Sequence, residues 1–260
     1  MKRRDFLTAS CLAGLAPLGG LAAAQGAGDR AEKQYYQLIL YRLASAAKQK
    51  LLDDFLREAA VAALNRIGVG PVGVFKMAEG DDPSMYVLLP HDSVESVVTV
   101  VERLQGDEQF LSAGRAFLEA PPSDPAYLRM ESSLLVAFDG AARLELPTKK
   151  KTRVFQLRTY ESHNIERAQK KIAMFNEGGE LEIFRRTGMP PVFFGETLIG
   201  AKMPNLTYML GFDDMEACDR GWASFRNDPA WLRLKGDPAY RDTVSNITNL
   251  LLRPAASSQV

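Results

Sequence analysis

"SDPAY" at residues 123–127 and "GDPAY" at residues 236–240 give this chain of 260 residues two copies of the tetrapeptide Asp-Pro-Ala-Tyr. Two further pairs occur in the same order, "YYQLILY" (35–41) with "VFQLRTY" (154–160) and "GVGPV" (68–72) with "GMPPV" (188–192). The three offsets are 113, 119 and 120 residues. Ordered matches with such similar offsets indicate one domain written twice. We expect a first unit over residues 34–146 and a second over residues 153–254.

Each copy repeats the same order of predicted elements. Aromatic and β-branched residues alternate along 35–41 and predict a strand, and apolar residues at helical spacing along 47–67 predict a helix that ends at Gly68. The matching helix at 164–187 contains Gly178-Gly179, which predicts a break. Two strands, a helix and a last strand follow in each copy. In the first copy they are predicted at 71–78, 84–89, 92–104 and 130–138. In the second copy they are predicted at 191–199, 206–212, 214–226 and 245–252. This β-α-β-β-α-β order is ferredoxin-like, and each Asp-Pro-Ala-Tyr falls in the turn before a last strand.

A four-stranded antiparallel sheet with both helices on one side leaves its other face uncovered. Packing the two units sheet to sheet covers both faces. The predicted fold class is therefore α+β, with two tandem ferredoxin-like β-α-β-β-α-β units that form an α+β barrel. One set of alternating residues in the first strands is expected to face the helices: Tyr36, Leu38, Leu40, Phe155, Leu157 and Thr159. The other set is expected to face the barrel interior, as a polar-lined cavity or a buried polar network: Tyr35, Gln37, Ile39, Tyr41, Val154, Gln156, Arg158 and Tyr160.

The predicted interior and its surroundings supply the candidate ligand-binding residues. They are Gln156, Arg158, Tyr160, His163, Glu196 and Tyr208. An unpaired buried charge is costly, so Arg158 needs a partner, which is either Glu196 or an anionic ligand. An Arg–Glu network that only joins the two sheets is the alternative. No catalytic residue is assigned, and the sequence leaves open whether the protein is an enzyme.

No motif in the sequence indicates a metal or nucleotide site. The two histidines, His91 and His163, lack metal-ligand spacing and are expected as caps or surface residues, so no metal is predicted. No cofactor is predicted, although haem is left open. Basic and acidic residues number 32 each, so no bulk charge favours nucleic acid as a partner.

Residues 1–24, "MKRRDFLTASCLAGLAPLGGLAAA", have a basic start, a weakly apolar middle and a small-residue end, which is the pattern of a signal peptide. The pair Arg3-Arg4 resembles the twin-arginine export signal. We expect cleavage near Ala24, a periplasmic or otherwise exported protein, and no membrane association afterwards. An uncleaved anchor is the alternative, because residues 6–24 approach the length that spans a membrane.

The second copy also resembles a known family. Four segments carry the resemblance: "IFRRTGMPPVFFGETLIG" (183–200), "MPNLTYMLGFDDM" (203–215), "WASFRNDPAW" (222–231) and "VSNITNLLLRP" (244–254). Together they resemble the NIPSNAP family, in particular its exported bacterial members, over about residues 153–254. The first copy matches this family more weakly. The resemblance implies the dimeric α+β barrel fold, a class that includes cofactor-independent monooxygenases, haem-handling enzymes and stress-response barrels. It implies no catalytic residues.

Three function classes remain open from the sequence. They are a small-molecule or haem-binding barrel, a cofactor-independent oxygenase-like enzyme, and a non-catalytic protein-interaction module. The first two need an open cavity beside Gln156, Arg158 and Tyr160, whereas the third predicts a filled cavity and an apolar patch elsewhere on the surface. We favour a small molecule bound between the two sheets. A monomer or a homodimer is expected, because one chain already holds both units.

Overall fold

The structure is a computed structural model that describes residues 32–260. The predicted signal segment, residues 1–24, lies outside the described residues. Between residues 32 and 260, no helix is long and apolar enough to cross a membrane.

Eight antiparallel strands form a closed barrel. In chain order they are β1 (Tyr35–Arg42), β2 (Gly73–Met77), β3 (Met85–His91), β4 (Arg129–Ala137), β5 (Val154–Glu161), β6 (Pro191–Ile199), β7 (Asn205–Phe212) and β8 (Asn246–Pro254). Their order around the barrel is β1-β3-β2-β8-β5-β7-β6-β4. Each unit supplies four neighbouring strands in the same internal order, and the units join where β2 pairs with β8 and where β4 pairs with β6. The predicted fold class is therefore confirmed.

The helices cover the outside of the barrel in two groups. The first unit contributes α1 (Ala46–Phe55), a π-helical turn (Leu56–Ala60), α2 (Val61–Arg66), α3 (Val94–Gln105), α4 (Glu108–Ala113) and α5 (Arg115–Leu118). The second contributes α6 (Ile165–Asn176), α7 (Glu180–Arg186), α8 (Met215–Asn227), α9 (Pro229–Leu234) and a 3-10 turn (Pro238–Tyr240). The predicted break at Gly178-Gly179 is confirmed, since Gly179 has a φ of 80° and precedes α7. The short helices α4, α5 and α9 were not predicted.

The predicted assignment of the two strand faces is wrong. The barrel interior is an apolar cluster of Tyr36, Phe75, Leu88, Leu135, Phe155, Leu157, Phe193, Met209 and Leu252. Tyr160 instead packs with the helices of the second unit, and Ile39 with those of the first. The barrel interior is enclosed by strands on every side and takes the more apolar set of side chains. The layer between sheet and helices stays open at its edges, so polar groups there keep some access to water.

Candidate functional site

The outward face of β5 forms the floor of a cleft beneath the helices of the second unit. The cleft has a volume of about 560 Å³. Helices α6 to α9 and the outer face of β8 form its walls. Its lining residues are Gln156, Arg158, Tyr160, Lys171, Glu180, Phe184, Trp222, Phe225, Arg226, Trp231, Val244, Ile247 and Asn249. The cleft lies outside the barrel, between one sheet and its own helices.

Trp222 connects helix α8 to the floor of this cleft. Its indole Nε1 donates a hydrogen bond of 2.6 Å to the side-chain oxygen of Gln156. The guanidinium carbon of Arg158 lies 4.7 Å from the centroid of the Trp222 ring, which is the distance of a cation–π contact. Gln156 and Arg158 are two residues apart on β5 and therefore share a face. The hydrogen bond fixes the indole, and the indole in turn orients the guanidinium.

Two tyrosines continue the polar floor. The Tyr208 hydroxyl donates to the Tyr160 hydroxyl at 3.0 Å, and Arg158 Nη2 donates to the same oxygen at 3.3 Å. Tyr208 is fully buried, and burial raises its pKa well above the usual value, so this phenol stays protonated. Because the Tyr160 oxygen accepts from two donors, the hydrogen of Tyr160 is left for a third group.

A buried ion pair lies at the inner end of the cleft. Lys171 Nζ of α6 lies 2.6 Å from Glu180 Oε2, at the start of α7. The ammonium also lies 4.4 Å from the centroid of the Phe175 ring. Burial raises the pKa of Glu180, and the positive charges of Lys171 and Arg158 oppose that shift. The pair holds α6 and α7 together across the glycine break.

Arg158 has no matching carboxylate. Across residues 32–260, no carboxylate oxygen lies within 4.0 Å of its guanidinium, and its Nε is buried without a hydrogen-bond acceptor. The cleft is lined by three cationic side chains, Arg158, Lys171 and Arg226, and by one carboxylate, Glu180. It therefore carries an excess of positive charge next to an aromatic wall.

The structure brings together only some of the predicted site residues. Gln156, Arg158 and Tyr160 line the cleft, and Tyr208 supports it from beneath through Tyr160. Of the two partners expected for Arg158, Glu196 is ruled out, because its carboxylate accepts from Gln169 instead.

Three of the six predicted residues are absent from the cleft lining: Tyr208, which supports the floor through Tyr160, and Glu196 and His163. Glu196 accepts a hydrogen bond from Gln169, and Arg158 contacts Tyr160 and Trp222 instead. His163 is exposed before α6. His91 is buried, contrary to prediction, with its Nδ1 2.9 Å from the Ser96 hydroxyl.

The predicted location between the two sheets is also wrong for Gln156, Arg158, Tyr160 and Tyr208, because these side chains face the helices of the second unit. A small cavity of about 180 Å³ does lie inside the barrel, but other side chains line it, among them Thr159 and Thr207. Their hydroxyls lie 2.9 Å apart.

Sequence reasoning missed the residues that the helices contribute to the cleft. These are Lys171, Glu180, Phe184, Trp222, Phe225, Arg226 and Trp231. One signal was available for Lys171. It lies three residues after Ala168 and four before Phe175, which places it on the apolar face of α6. A lysine on such a face indicates a buried partner.

The cleft does not fit a haem group. Proteins bind haem iron mainly through histidine, cysteine, methionine or tyrosine. The lining contains no histidine, cysteine or methionine, and the oxygen of its tyrosine, Tyr160, already accepts from Arg158 and Tyr208.

Taken together, the topology and the cleft define a single-chain α+β barrel with a cationic, aromatic cleft in its second unit. A family model described as NIPSNAP matches residues 155–259. The second unit therefore carries a NIPSNAP family domain, as its sequence motifs indicate. No curated protein sequence matches the chain.

Several solved structures are similar to this chain. A candidate monooxygenase from Fusobacterium nucleatum has a TM-score of 0.58 and 7% identity, over 86% of this chain and 94% of the other. A candidate monooxygenase from Lactobacillus acidophilus has a TM-score of 0.53 and 10% identity, over 86% and 95%. A NIPSNAP family protein of unknown function from Agrobacterium tumefaciens is 23% identical over 41% of this chain and 92% of its own, with a TM-score of 0.35. The first two likenesses show the fold alone.

Proposed function

We propose that the protein binds a small anionic molecule with an aromatic or apolar body in the cleft of its second unit. The observation that carries this proposal is the state of Arg158. Its guanidinium is half-buried and stacked on Trp222, and no carboxylate of residues 32–260 pairs with it. A carboxylate or sulfonate from a ligand supplies the missing partner, and guanidinium is the cation best suited to bind such a planar anion.

The rest of the cleft suits both parts of such a ligand, the anionic group and the aromatic or apolar body. Its excess positive charge attracts an anion, and the attraction is stronger than in bulk water because the site is partly desolvated. Phe184, Phe225 and Trp231 offer flat apolar surfaces beside Trp222. The volume of about 560 Å³ falls within the range of about 300–1,000 Å³ that is typical of small-molecule sites.

The test is calorimetric titration with 2-naphthoate and with the neutral 2-naphthamide, two probes of nearly equal shape. We expect the protein to bind 2-naphthoate at least tenfold more tightly, and Arg158→Gln to remove that preference. Arg220→Gln is the matched control, because Arg220 is an exposed arginine of α8 whose carboxylate partner is Glu216. Equal affinities for the two probes in the unmodified protein contradict the proposal.

The geometry of the cleft is compatible with an oxygenase-like enzyme and argues against a purely structural interaction module. A cofactor-independent oxygenase-like enzyme is the second candidate, since Arg158, Tyr160 and Tyr208 form a connected hydrogen-bonded set on the cleft floor. Oxygen uptake by protein that carries a co-purified ligand, lost in Tyr160→Phe, is the result that favours an enzyme. A purely structural interaction module predicts a filled cavity at this position, and the open cleft argues against it.

We also propose that the chain is exported through its N-terminal segment. The support is the sequence of residues 1–24, with Arg3-Arg4 before an apolar stretch. Replacing both arginines by lysine should retain the protein in the cytoplasm, as measured by cell fractionation. Export of the double variant at the unmodified rate contradicts the twin-arginine assignment.

The unit boundaries 34–146 and 153–254 also stay a prediction.

A further inference from the structure

The first unit contains a second cleft at the position equivalent to the first one. It lies between the outer face of β1 and the helices of that unit, with a volume of about 440 Å³. Gln37 and Tyr41 occupy the strand positions that Gln156 and Tyr160 occupy in the second unit. Between them, Ile39 replaces Arg158. The two copies therefore share the cleft, but only the second has a cation at its centre.

The lining of this second cleft has no charged side chain. Five aromatic rings contribute to it, and the Phe55 and Phe117 rings stack at 4.3 Å between centroids. Its lining residues are Gln37, Ile39, Tyr41, Phe55, Leu56, Ala60, Leu64, Val87, Leu89, Val100, Val101, Leu104, Gln105, Phe110, Leu111, Phe117, Leu118, Tyr127 and Met130. A charged ligand finds no partner here and loses its hydration, so the site selects against ions.

One polar group in this cleft lacks a partner. The amide nitrogen of Gln37 donates to the Ser132 hydroxyl at 3.0 Å, but the amide oxygen of Gln37 is buried without a donor. A buried carbonyl oxygen that accepts no hydrogen bond is destabilising. A ligand hydroxyl that reaches Gln37 removes this deficit.

The mouth of the cleft exposes apolar side chains to solvent. Val101 of α3 is 62% exposed, and Leu111, Leu118 and Met130 at the rim are also exposed. Exposed apolar side chains grouped around an opening are typical of binding surfaces. The wall also contains the π-helical turn Leu56–Ala60, a backbone form that is concentrated at functional sites.

We propose that the cleft of the first unit is a second ligand site, which binds an uncharged hydrophobic molecule carrying one hydroxyl group that donates to Gln37. This proposal does not depend on the anion site of the second unit. The two units of one barrel then select ligands of opposite character, because Ile39 and Arg158 stand at the same position of the repeat.

The test uses the neutral fluorescent probe N-phenyl-1-naphthylamine with the protein, displaced by 1-decanol, by decyl methyl ether or by decanoate. We expect probe fluorescence to rise on binding, and 1-decanol to displace the probe at no more than one fifth of the concentration needed for the ether or for decanoate. In Gln37→Leu the probe should still bind, while the advantage of the alcohol over the ether disappears.

A matched pair of variants locates the site. Val101→Glu places a carboxylate at the mouth of the cleft, whereas Val98→Glu places one at a 72% exposed position of the same helix outside the lining. We expect the first to weaken probe binding at least fivefold and the second to leave it unchanged.

Three results overturn the proposal. They are absence of probe binding, equal effects of the two glutamates, and displacement by decanoate as readily as by 1-decanol. If the probe does not bind and Val101→Glu converts a dimer into a monomer by native mass spectrometry, the apolar face is covered by a second copy of the chain instead.

Discussion

Lys171 and Glu180 form an ion pair of 2.6 Å with side chains only 5% and 3% exposed. Removing one partner leaves a buried charge without compensation, so we expect Lys171→Met to lower the free energy of unfolding by about 3–5 kcal/mol at neutral pH. The double variant Lys171→Met, Glu180→Met should recover most of that loss. Urea denaturation of the single and double variants measures the difference. A double variant as unstable as Lys171→Met shows that the pair stabilises through packing alone.

The single variant should also acquire a pH dependence of known sign. Burial already raises the pKa of Glu180, and loss of Lys171 removes a charge that opposes this shift. With a folded-state pKa above the unfolded value, the folded state binds the extra proton. The stability of Lys171→Met should therefore fall as pH rises from 5 to 8. The double variant lacks the carboxyl group and is the control.

His91 gives a second pH dependence, of opposite sign. Burial lowers its pKa to about 4, with the Asp92 carboxylate opposing the shift, and the usual value is about 6.5. Between these values the unfolded chain binds more protons than the folded protein, so stability is complete above pH 6.5 and is lost as pH falls towards 4.

The size of this loss should be about 3 kcal/mol, because one pKa unit corresponds to about 1.4 kcal/mol. Urea midpoints measured between pH 4 and 7 should show a shallower slope for His91→Asn than for the unmodified protein. The exposed His163 provides the matched control, and His163→Asn should leave the slope unchanged. Equal slopes in all three proteins mean that His91 titrates normally.

Most of the fold follows from sequence because its signals are local. Alternation in "YYQLILY" and "VFQLRTY", the φ-positive Gly68 and Gly188, and the break at Gly178-Gly179 each predict an element without reference to its neighbours. The repeat then indicates how the two sheets meet. Alternation separates the two faces of a strand but does not say which face is inside. Leu38 and Ile39 are equally apolar, so only the closed barrel decides between them.

The sequence predicts the strand residues of the candidate site but not those that the helices contribute. Gln156 and Arg158 are conspicuous because polar side chains within a strand need an explanation, and both do line the cleft. Lys171 is inconspicuous because Lys170 precedes it. Lys170 is an ordinary surface residue paired with Glu166 one turn earlier, whereas Lys171 is buried. The sequence predicts only a packing role for Trp222, whereas in the structure its indole also donates a hydrogen bond to Gln156.

The two tyrosines below the cleft should differ in their contribution to stability. Tyr208→Phe removes one hydrogen bond and leaves Tyr160 in contact with Arg158, so it should cost about 1 kcal/mol. Tyr160→Phe leaves the Tyr208 hydroxyl buried without a partner and should cost more, about 2–3 kcal/mol. Guanidinium denaturation of both variants ranks them. A larger loss for Tyr208→Phe means that the hydroxyl of Tyr160 finds its main partner elsewhere.

The segment after β8, residues 255–260, packs over the seam between the two units. The seam is the junction at which β2 pairs with β8. The Gln259 backbone N–H donates to the Val72 carbonyl oxygen, and the guanidinium of Arg153 donates to the backbone oxygen of Val260 at 2.9 Å from Nη2. The Val260 side chain is buried in the barrel interior with residues of both units. Since it packs against both sheets, it stabilises their contact as well as its own segment.

Val260→Ala should therefore lower the free energy of unfolding by about 1–2 kcal/mol, the effect of two buried methyl groups and the space they leave. Ala256→Ser is the control, because Ala256 belongs to the same segment but is exposed. Hydrogen exchange locates the effect. If Val260 joins the units, the amides of β2 and β8 near the seam should exchange faster in Val260→Ala, while those of β5 and β7 keep their relative protection. A uniform increase across all eight strands shows instead that the seam opens only when the whole barrel unfolds.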